Sequence, residues 1–326
     1  MGAPEDDDQY RGSTSLLTAR KSRGGDTMFR WTAKGAGILV LVLMAAVAAF
    51  LIIKAVPAVA NDKANFFTTF QWDPQGSGKF GIAALAFGTL LASVIALIIG
   101  VPVAVGVALY ISQYAPRAIA RPLAYVVDLL AAVPSVVFGL WGAIYLSPNL
   151  IPLSTFLSKY FGWFPLFAST NETYGKSILV ASVVLAVMLL PIVAAISREV
   201  FVQTPTEHIE GALALGATKW ETIQTAVLPY GRSGVVSAVV LGFGRAVGET
   251  IAVALVLSST YGISWRILDP GGNTIAANIA NRWGDANDSI SQGALIASGL
   301  VLFAITLLVN FGARYIVRRG TKEAKA

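Results

Sequence analysis

The 326-residue chain contains no cysteine and a single histidine, His208. The first absence excludes a disulfide framework and a thiolate metal site, and the second excludes a histidine-rich metal centre. His208 stands alone in a polar loop, so no Ser/His/Asp set is completed around it, and it reads as an exposed side chain. Charge is scarce as well, with 13% of residues Asp, Glu, Lys or Arg, against about a quarter in soluble domains. Hydrophobic residues make up 55% of the chain, and its mean hydropathy is +0.67. So little polar surface cannot cover a soluble core of this size, which excludes an ordinary cytosolic enzyme and equally a disordered chain. A phosphate-cradling loop, G-x-x-x-x-G-K-[ST], is missing too. The nearest run, Gly76-Ser77-Gly78-Lys79-Phe80, has Phe80 in place of the hydroxyl residue and Asp73 in place of the first glycine. The chain is therefore expected to hydrolyse no ATP, to hold no cofactor and to take its energy from a partner.

Long apolar runs are what the chain has in abundance. About 20 mainly apolar residues cross roughly 30 Å of hydrocarbon. Six runs meet that need: 35–56, 80–112, 122 to 146, 177–197, 233 to 259 and 293–317. The second holds 33 residues without a charge, about 50 Å of helix. Gly100-Val101-Pro102 predicts a kink there, or two successive helical pieces. Six crossings put both ends of the chain on one face. Lysine and arginine are retained on the cytoplasmic side, and 16 of them fall on the face of the termini, 7 on the other, with Arg245 inside a span. The expected topology has both termini cytoplasmic. The net charge of +6 then records sidedness in a lipid bilayer, and no nucleic-acid partner is expected.

Residues 1–34, with acidic residues at 5–8 and no apolar signal-peptide region, predict a disordered cytosolic tail. Residues 319–326 form a basic tail. The stretch 148–176, with Phe161, Trp163, Phe164 and Phe167, predicts a packed loop at the outer interface, and 261–292 a polar outer loop. Asn171-Glu172-Thr173 fits a glycosylation acceptor, a triplet too common to carry weight.

Between spans four and five, Thr204 and Glu207 form a capping-box pattern with Pro205 at the first helical position. Gly216 suits the left-handed position after a helix, Thr218 and Glu221 form a second box, and Pro229 closes the second helix. A small apolar face, Ile209, Ala212, Leu213, Leu215 and Ala217, suits docking into a groove on another protein. The other reading is a helix pair that merely caps the bundle. A DNA-binding helix-turn-helix is excluded, because residues 218–228 offer one lysine against one glutamate.

Charged groups inside a span cost roughly 2.5–3.5 kcal/mol each on insertion scales. Arg245 and Glu249 stand four apart in span five, on one helical face and close enough to pair. Gly244 and Gly248 allow close helix approach beside them. Asp128 in span three is a second possible partner for Arg245. Two roles are open, a polar clamp between helices or an anion path in which the planar guanidinium fork of Arg245 receives an oxyanion.

Two stretches resemble known permeases. Glu210-Gly211-Ala212, three residues, Gly216, nine residues, then Ala226-Val227-Leu228-Pro229 resemble the EAA loop of ABC importer permeases (E-A-A, three, G, nine, I-x-L-P). Gly211 and Ala226 depart from that pattern without altering its spacing. Residues 244–255, with Thr250 after Glu249, resemble the R-A-x-G-E-T stretch of phosphate-specific permeases, and residues 130–142 resemble their third-span signature. The Ala-Val-Ala-Leu continuation and the leading span are similar to the C-type subunit rather than the A-type. The resemblance implies an all-α membrane protein of the type I importer permease fold, with a core at 80–318 preceded by a helix and outer loop at 35–79, in a bacterial plasma membrane. It implies a coupling loop at 204–229 that meets partner ATPases through Glu210, Gly211, Ala212, Gly216, Leu228 and Pro229. The partners it implies are an A-type permease, two ATPase subunits holding ATP and Mg, and an extracytoplasmic phosphate-binding protein. Arg245, Glu249, Thr250 and Asp128 would line the path of phosphate, moved by alternating access. A sulfate or molybdate permease is the near alternative. An ATPase-independent anion carrier or channel would leave the loop unexplained.

Overall fold

The computed structural model describes residues 24–169 and 175–323; the acidic residues at 5–8 and the Asn171 triplet lie outside them. The chain divides at Phe50/Leu51 into two compact units. In the first, residues 24–50 belong to helix α1 (Gly24–Ala60). The helix begins at Gly24, so residues 24–34, expected in a tail, are helical. Nothing in that stretch stops a helix propagating back from the apolar span. Lys34 lies 5.7 Å from the centre of the Trp31 ring, a pairing at home near a membrane interface.

The second unit is built on helices α2 (Ala83–Leu109), α7 (Ile178–Val202), α10 (Leu228–Gly248) and α13 (Ser289–Glu323). Among the described residues five helices are long and apolar enough to cross a membrane, α1 included. The third expected span is a bent pair instead. Helix α3 (Arg117–Ala131) meets the run 135–149 at 88°. Pro134 causes the break, because it donates no backbone N–H and keeps Val133 out of the helical region. The run beyond it comprises α4 (Ser135–Trp141), a wide turn and α5 (Ser147–Asn149), followed by α6 (Ile151–Phe161).

Helix α7 is apolar all round as far as Ser197 and forms the centre, with Val184, Leu185, Leu189 and Val193 buried and α2, α3, α10 and α11 (Ile251–Val256) packed about it. α10 runs antiparallel to α7 along a seam without side chains on one side. A Cβ at Gly231 would lie 2.7 Å from the Phe201 ring, one at Gly234 would strike Val200, and one at Gly242 would lie 2.9 Å from Val193. α2 approaches as closely at Gly100, where a Cβ would lie 2.7 Å from Leu189 Cδ1. Of the two alternatives expected for span two, a kink or two successive pieces, the second does not occur, since α2 passes through Pro102 and continues to Tyr114 as one span.

Three wide, π-type turns interrupt the helices, at Tyr110–Tyr114, Gly142–Leu146 and Ile223–Val227. Each ends two residues ahead of a proline: Pro116, Pro148 and Pro229. Where the helix runs on through the proline, at Pro148 and Pro229, the ring would collide with the carbonyl four residues back, and the widened turn moves that carbonyl aside; ahead of Pro116 the chain instead turns extended at Ala115. Pro229 therefore does not close a helix. Helix α9 (Lys219–Thr222), the wide turn and α10 form one apolar run, Lys219–Gly248.

The outer loops are folded rather than loose. β1 (Trp72–Asp73) pairs with β2 (Lys79–Phe80), and the Asp73 carboxylate accepts the N–H groups of Gly76 at 2.9 Å and Ser77 at 2.8 Å. The run nearest to a P-loop is thus a hairpin turn whose amides are committed to Asp73. The polar loop 261–292 contains helix α12 (Ile275–Arg282), whose Ile275, Ala276, Ala277 and Asn278 are buried. Thr89 on α2 accepts the Ile275 N–H at 3.0 Å and fastens this helix to the body.

Two outcomes follow for stability. Gly100→Leu overpacks the α2–α7 contact and costs about 1–3 kcal/mol, whereas Gly106→Ala, with nothing within 4 Å of its Cβ, gains up to about 1 kcal/mol of helix propensity; melting temperatures in detergent check both signs. The Asp73 carboxyl is held below its ordinary pKa by the Ser77 and Gly76 amides and the Ser77 hydroxyl. A depressed folded pKa gives stability that is complete at neutral pH and lost as pH falls through the folded value. Trp72 fluorescence in a variant lacking the other tryptophans should stay flat from about pH 8 to 5 and change only in stronger acid.

Candidate substrate path and coupling loop

The loop between α7 and α10 is built around helix α8 (Thr206–Ala214). The first expected capping box is not made. Pro205 takes the cap position with no side-chain bond, and Thr204 is buried with its hydroxyl unpartnered. The other end closes as expected. Gly216 has φ +84°, its N–H reaches the Leu213 carbonyl at 3.0 Å, and the Ala217 N–H reaches Ala212 at 3.1 Å. That pair of bonds is a Schellman closure, which needs a residue free of left-handed strain at position 216. The second capping box is complete, with the Thr218 N–H donating to Glu221 at 2.7 Å and the Glu221 N–H donating to Thr218 at 3.3 Å.

Ile209 packs on a small core of Ala108, Phe201, Ile223 and Val227, with Leu228 against the same core. α8 is thereby anchored to the ends of α2 and α7. Glu210, Gly211 and Pro229 are exposed, Ala212 is half-buried, and Leu213 and Leu215 stand 49% and 91% exposed. Of the expected apolar face, Ile209 points home while Leu213 and Leu215 are uncovered. One further fastening has no signal in the sequence: the Lys219 ammonium sits 4.9 Å from the centre of the Tyr114 ring, tying α9 to the run that extends α2.

The expected charge pairs are rearranged. α10 ends at Gly248, and Glu249 turns extended with φ −68° and ψ 126°. Glu249 is 9% exposed and accepts the Ala252 N–H at 3.2 Å, so its carboxylate serves the first turn of α11. The Thr250 hydroxyl donates to the Gly248 carbonyl at 3.1 Å. Among the described residues no carboxylate lies within 4.0 Å of Arg245, so it pairs with neither Glu249 nor Asp128. The helical spacing that suggested an Arg245–Glu249 pair does not apply, because the helix stops between them. Asp128 is exposed on α3 and lies 3.8 Å from Arg198 of α7. The sequence placed Arg198 in the connecting loop, but α7 runs on to Val202 and carries it inside a helix.

The glycine seam sets where Arg245 points. Gly231, Ala238 and Gly242 are buried on α7, leaving Ser233, Ser237, Leu241, Arg245 and Gly248 exposed at helical spacing. Gly242 lies against Val193 and Leu189, so Arg245, about 4.5 Å further along α10, is level with the middle of α7. Gly244 and Gly248 have nothing within 4 Å of an added Cβ, so the close approach expected there does not occur among the described residues. The two signature stretches do meet. A Cβ at Gly139 of α4 would lie 2.6 Å from Ala252 Cα, and one at Gly142 would lie 2.9 Å from Val256.

Residues 96–322 match the model of the family described as binding-protein-dependent transport system inner membrane component. The chain belongs to this family. Similar relatives include the phosphate transport system permease protein PstC 2 of Mycobacterium tuberculosis, 47% identical over 91% of this chain and 93% of that one. The phosphate transport system permease protein PstC of Mycobacterium leprae is 45% identical over 82% and 86%. The probable phosphate transport system permease protein PstC of Methanocaldococcus jannaschii is 34% identical over 86% and 90%. The fold is also that of a bacterial alginate ABC transporter chain, with TM-score 0.59 at 17% identity over 91% of this chain and 98% of that one. The all-α permease fold expected from the two motifs is thus the observed one, and the chain is a multi-pass membrane protein.

Gly216→Ala forces a Cβ into the left-handed region and should cost roughly 1–2 kcal/mol. Hydrogen exchange of the α8 amides checks it, with faster exchange in the variant expected there and none at α7.

Proposed function

We propose that this chain is the permease subunit of an ATP-driven phosphate importer in a bacterial plasma membrane, with both termini in the cytoplasm. Three curated relatives between 34% and 47% identical carry phosphate transport names, over most of this chain. The single observation that carries the chemistry is Arg245: a guanidinium at mid-span, on the uncovered face of α10, with no described carboxylate within 4 Å. A charge at that depth does not face lipid. It faces a path or a second permease, here an A-type homologue, and its fork of N–H donors matches the oxygens of phosphate. Glu249 contributes by holding the break after Gly248 through the Ala252 amide, which fixes the end of the helix that presents Arg245. Thr250 secures the same break, and Asp128 lies further toward the α8 end.

Energy enters at the opposite end of α10 from Arg245. Two ATPase subunits, which hold the ATP and Mg, grip α8 through Glu210, Gly211, Ala212, Leu213 and Leu215. Gly216, Leu228 and Pro229 set the shape of that loop. Because Ile209 and Lys219 tie the loop to the ends of α2 and α7, its displacement moves the spans that form the path. ATP-driven closure opens the permease pair outward to phosphate delivered by an extracytoplasmic binding protein, and hydrolysis returns it inward.

Arg245→Gln removes the charge while keeping a hydrogen-bonding side chain. In vesicles holding all subunits, uptake of radiolabelled phosphate should fall to background while the variant still co-purifies with the ATPases. Normal uptake would remove Arg245 from the path, and uptake that continues without the ATPases would refute the importer.

A further inference from the structure

Besides Arg245, two charges on neighbouring helices face each other, Arg198 of α7 and Asp128 of α3. Arg198 lies about ten residues beyond the level of Arg245 along α7, about 15 Å nearer the α8 end. It makes no hydrogen bond to any described residue, and its one ion-pair distance, 3.8 Å to Asp128, exceeds the 2.7–2.9 Å of a charge-assisted bond. The side chains are 23% and 50% exposed. Two features separate this pair from an ordinary helix clamp. It is loose, leaving the guanidinium donors uncommitted, and its carboxylate is half exposed within the chain. Exposed charges on spanning helices face water or a protein partner rather than lipid, so Asp128 on α3 and Arg245 on α10 both belong to the surface turned toward the path. The nearby charges are Glu199, exposed beside Arg198 on α7, and Arg121, exposed two turns before Asp128 on α3.

We propose that Arg198 is a second oxyanion contact, one step beyond Arg245 on the way to the cytoplasm, and that Asp128 is the carboxylate that occupies it when no substrate is there. This rests on the phosphate reading given above. An anion bound to one mid-span arginine has no next partner within reach. A pathway conducts when each site binds well enough to receive the ion and weakly enough to release it. Asp128 supplies the weakness: it competes for the guanidinium and returns to it as the anion leaves.

The test uses the complete transporter with wild-type, Arg198→Gln, Asp128→Asn and double-variant chains, matched for membrane level and ATPase co-purification. Equilibrium dialysis with radiolabelled phosphate on the purified complex, without binding protein, should reveal a weaker class of site. Asp128→Asn tightens that site at least threefold, Arg198→Gln removes it and cuts uptake at least tenfold, and the double variant matches Arg198→Gln. A structural ion pair gives the opposite pattern, in which both single variants impair uptake and the double variant recovers it, because no charge is left unpaired. That pattern, or unchanged binding in Arg198→Gln, overturns the proposal. If the wild-type complex takes up no phosphate, the phosphate reading fails instead, which the uptake assay shows independently.

Discussion

Hydrocarbon offers a backbone N–H or carbonyl nothing to bond to, so every interruption of a spanning helix has to be repaired inside the protein. Much of this structure consists of such repairs. Wide turns ahead of Pro148 and Pro229 take up the collision each ring would cause. At the end of α10 the repair is chemical: Glu249 accepts an amide of α11, and Thr250 donates to the last carbonyl before the break. On α12, Thr89 and the Thr274 hydroxyl accept amides that the helix itself leaves free. The polar residues of span five are therefore what makes a break at mid-membrane tolerable, and that break ends the helix beside Arg245.

Packing decides which way the polar groups face. α7 is buried on nearly every side, and the glycines of α10 bring the two backbones together. The rotation fixed by that seam leaves a stripe from Ser233 to Gly248 uncovered, with the arginine near its Gly248 end. The α8 end is tied to the same helices through Ile209 and the Lys219–Tyr114 contact. Motion at the loop and exposure of Arg245 are thus linked through α7 and α2, two helices whose mutual packing is too tight at Gly100 to slip.

Much of this was legible from residue order. The apolar runs, the Gly216 turn, the Thr218–Glu221 box and the two signature stretches each depend on local chemistry, which sequence records directly. Several misreadings arise because a side chain finds a partner, near or far along the chain, that the spacing does not announce. Arg245 and Glu249 are four apart, but Glu249 finds the Ala252 amide instead, and nothing in the spacing announces that the helix stops at Gly248. Asp128 finds Arg198, a residue that reads as loop because α7 continues past its last apolar stretch. The Thr204 box fails because Thr204 is buried at the end of α7, and the polar loop 261–292 gives no hint that Thr89 waits to receive α12.

The central claim is that an oxyanion on its way through the membrane meets Arg245. Cryo-electron microscopy of the assembled transporter with its binding protein and phosphate, trapped by an ATPase-inactive partner, tests it most directly. The account predicts tetrahedral density within hydrogen-bond distance of the Arg245 guanidinium, in a cavity between this chain and a second permease. Density elsewhere with Arg245 turned to lipid, or an Arg245 sealed in a salt bridge in the phosphate-bound state, would contradict it.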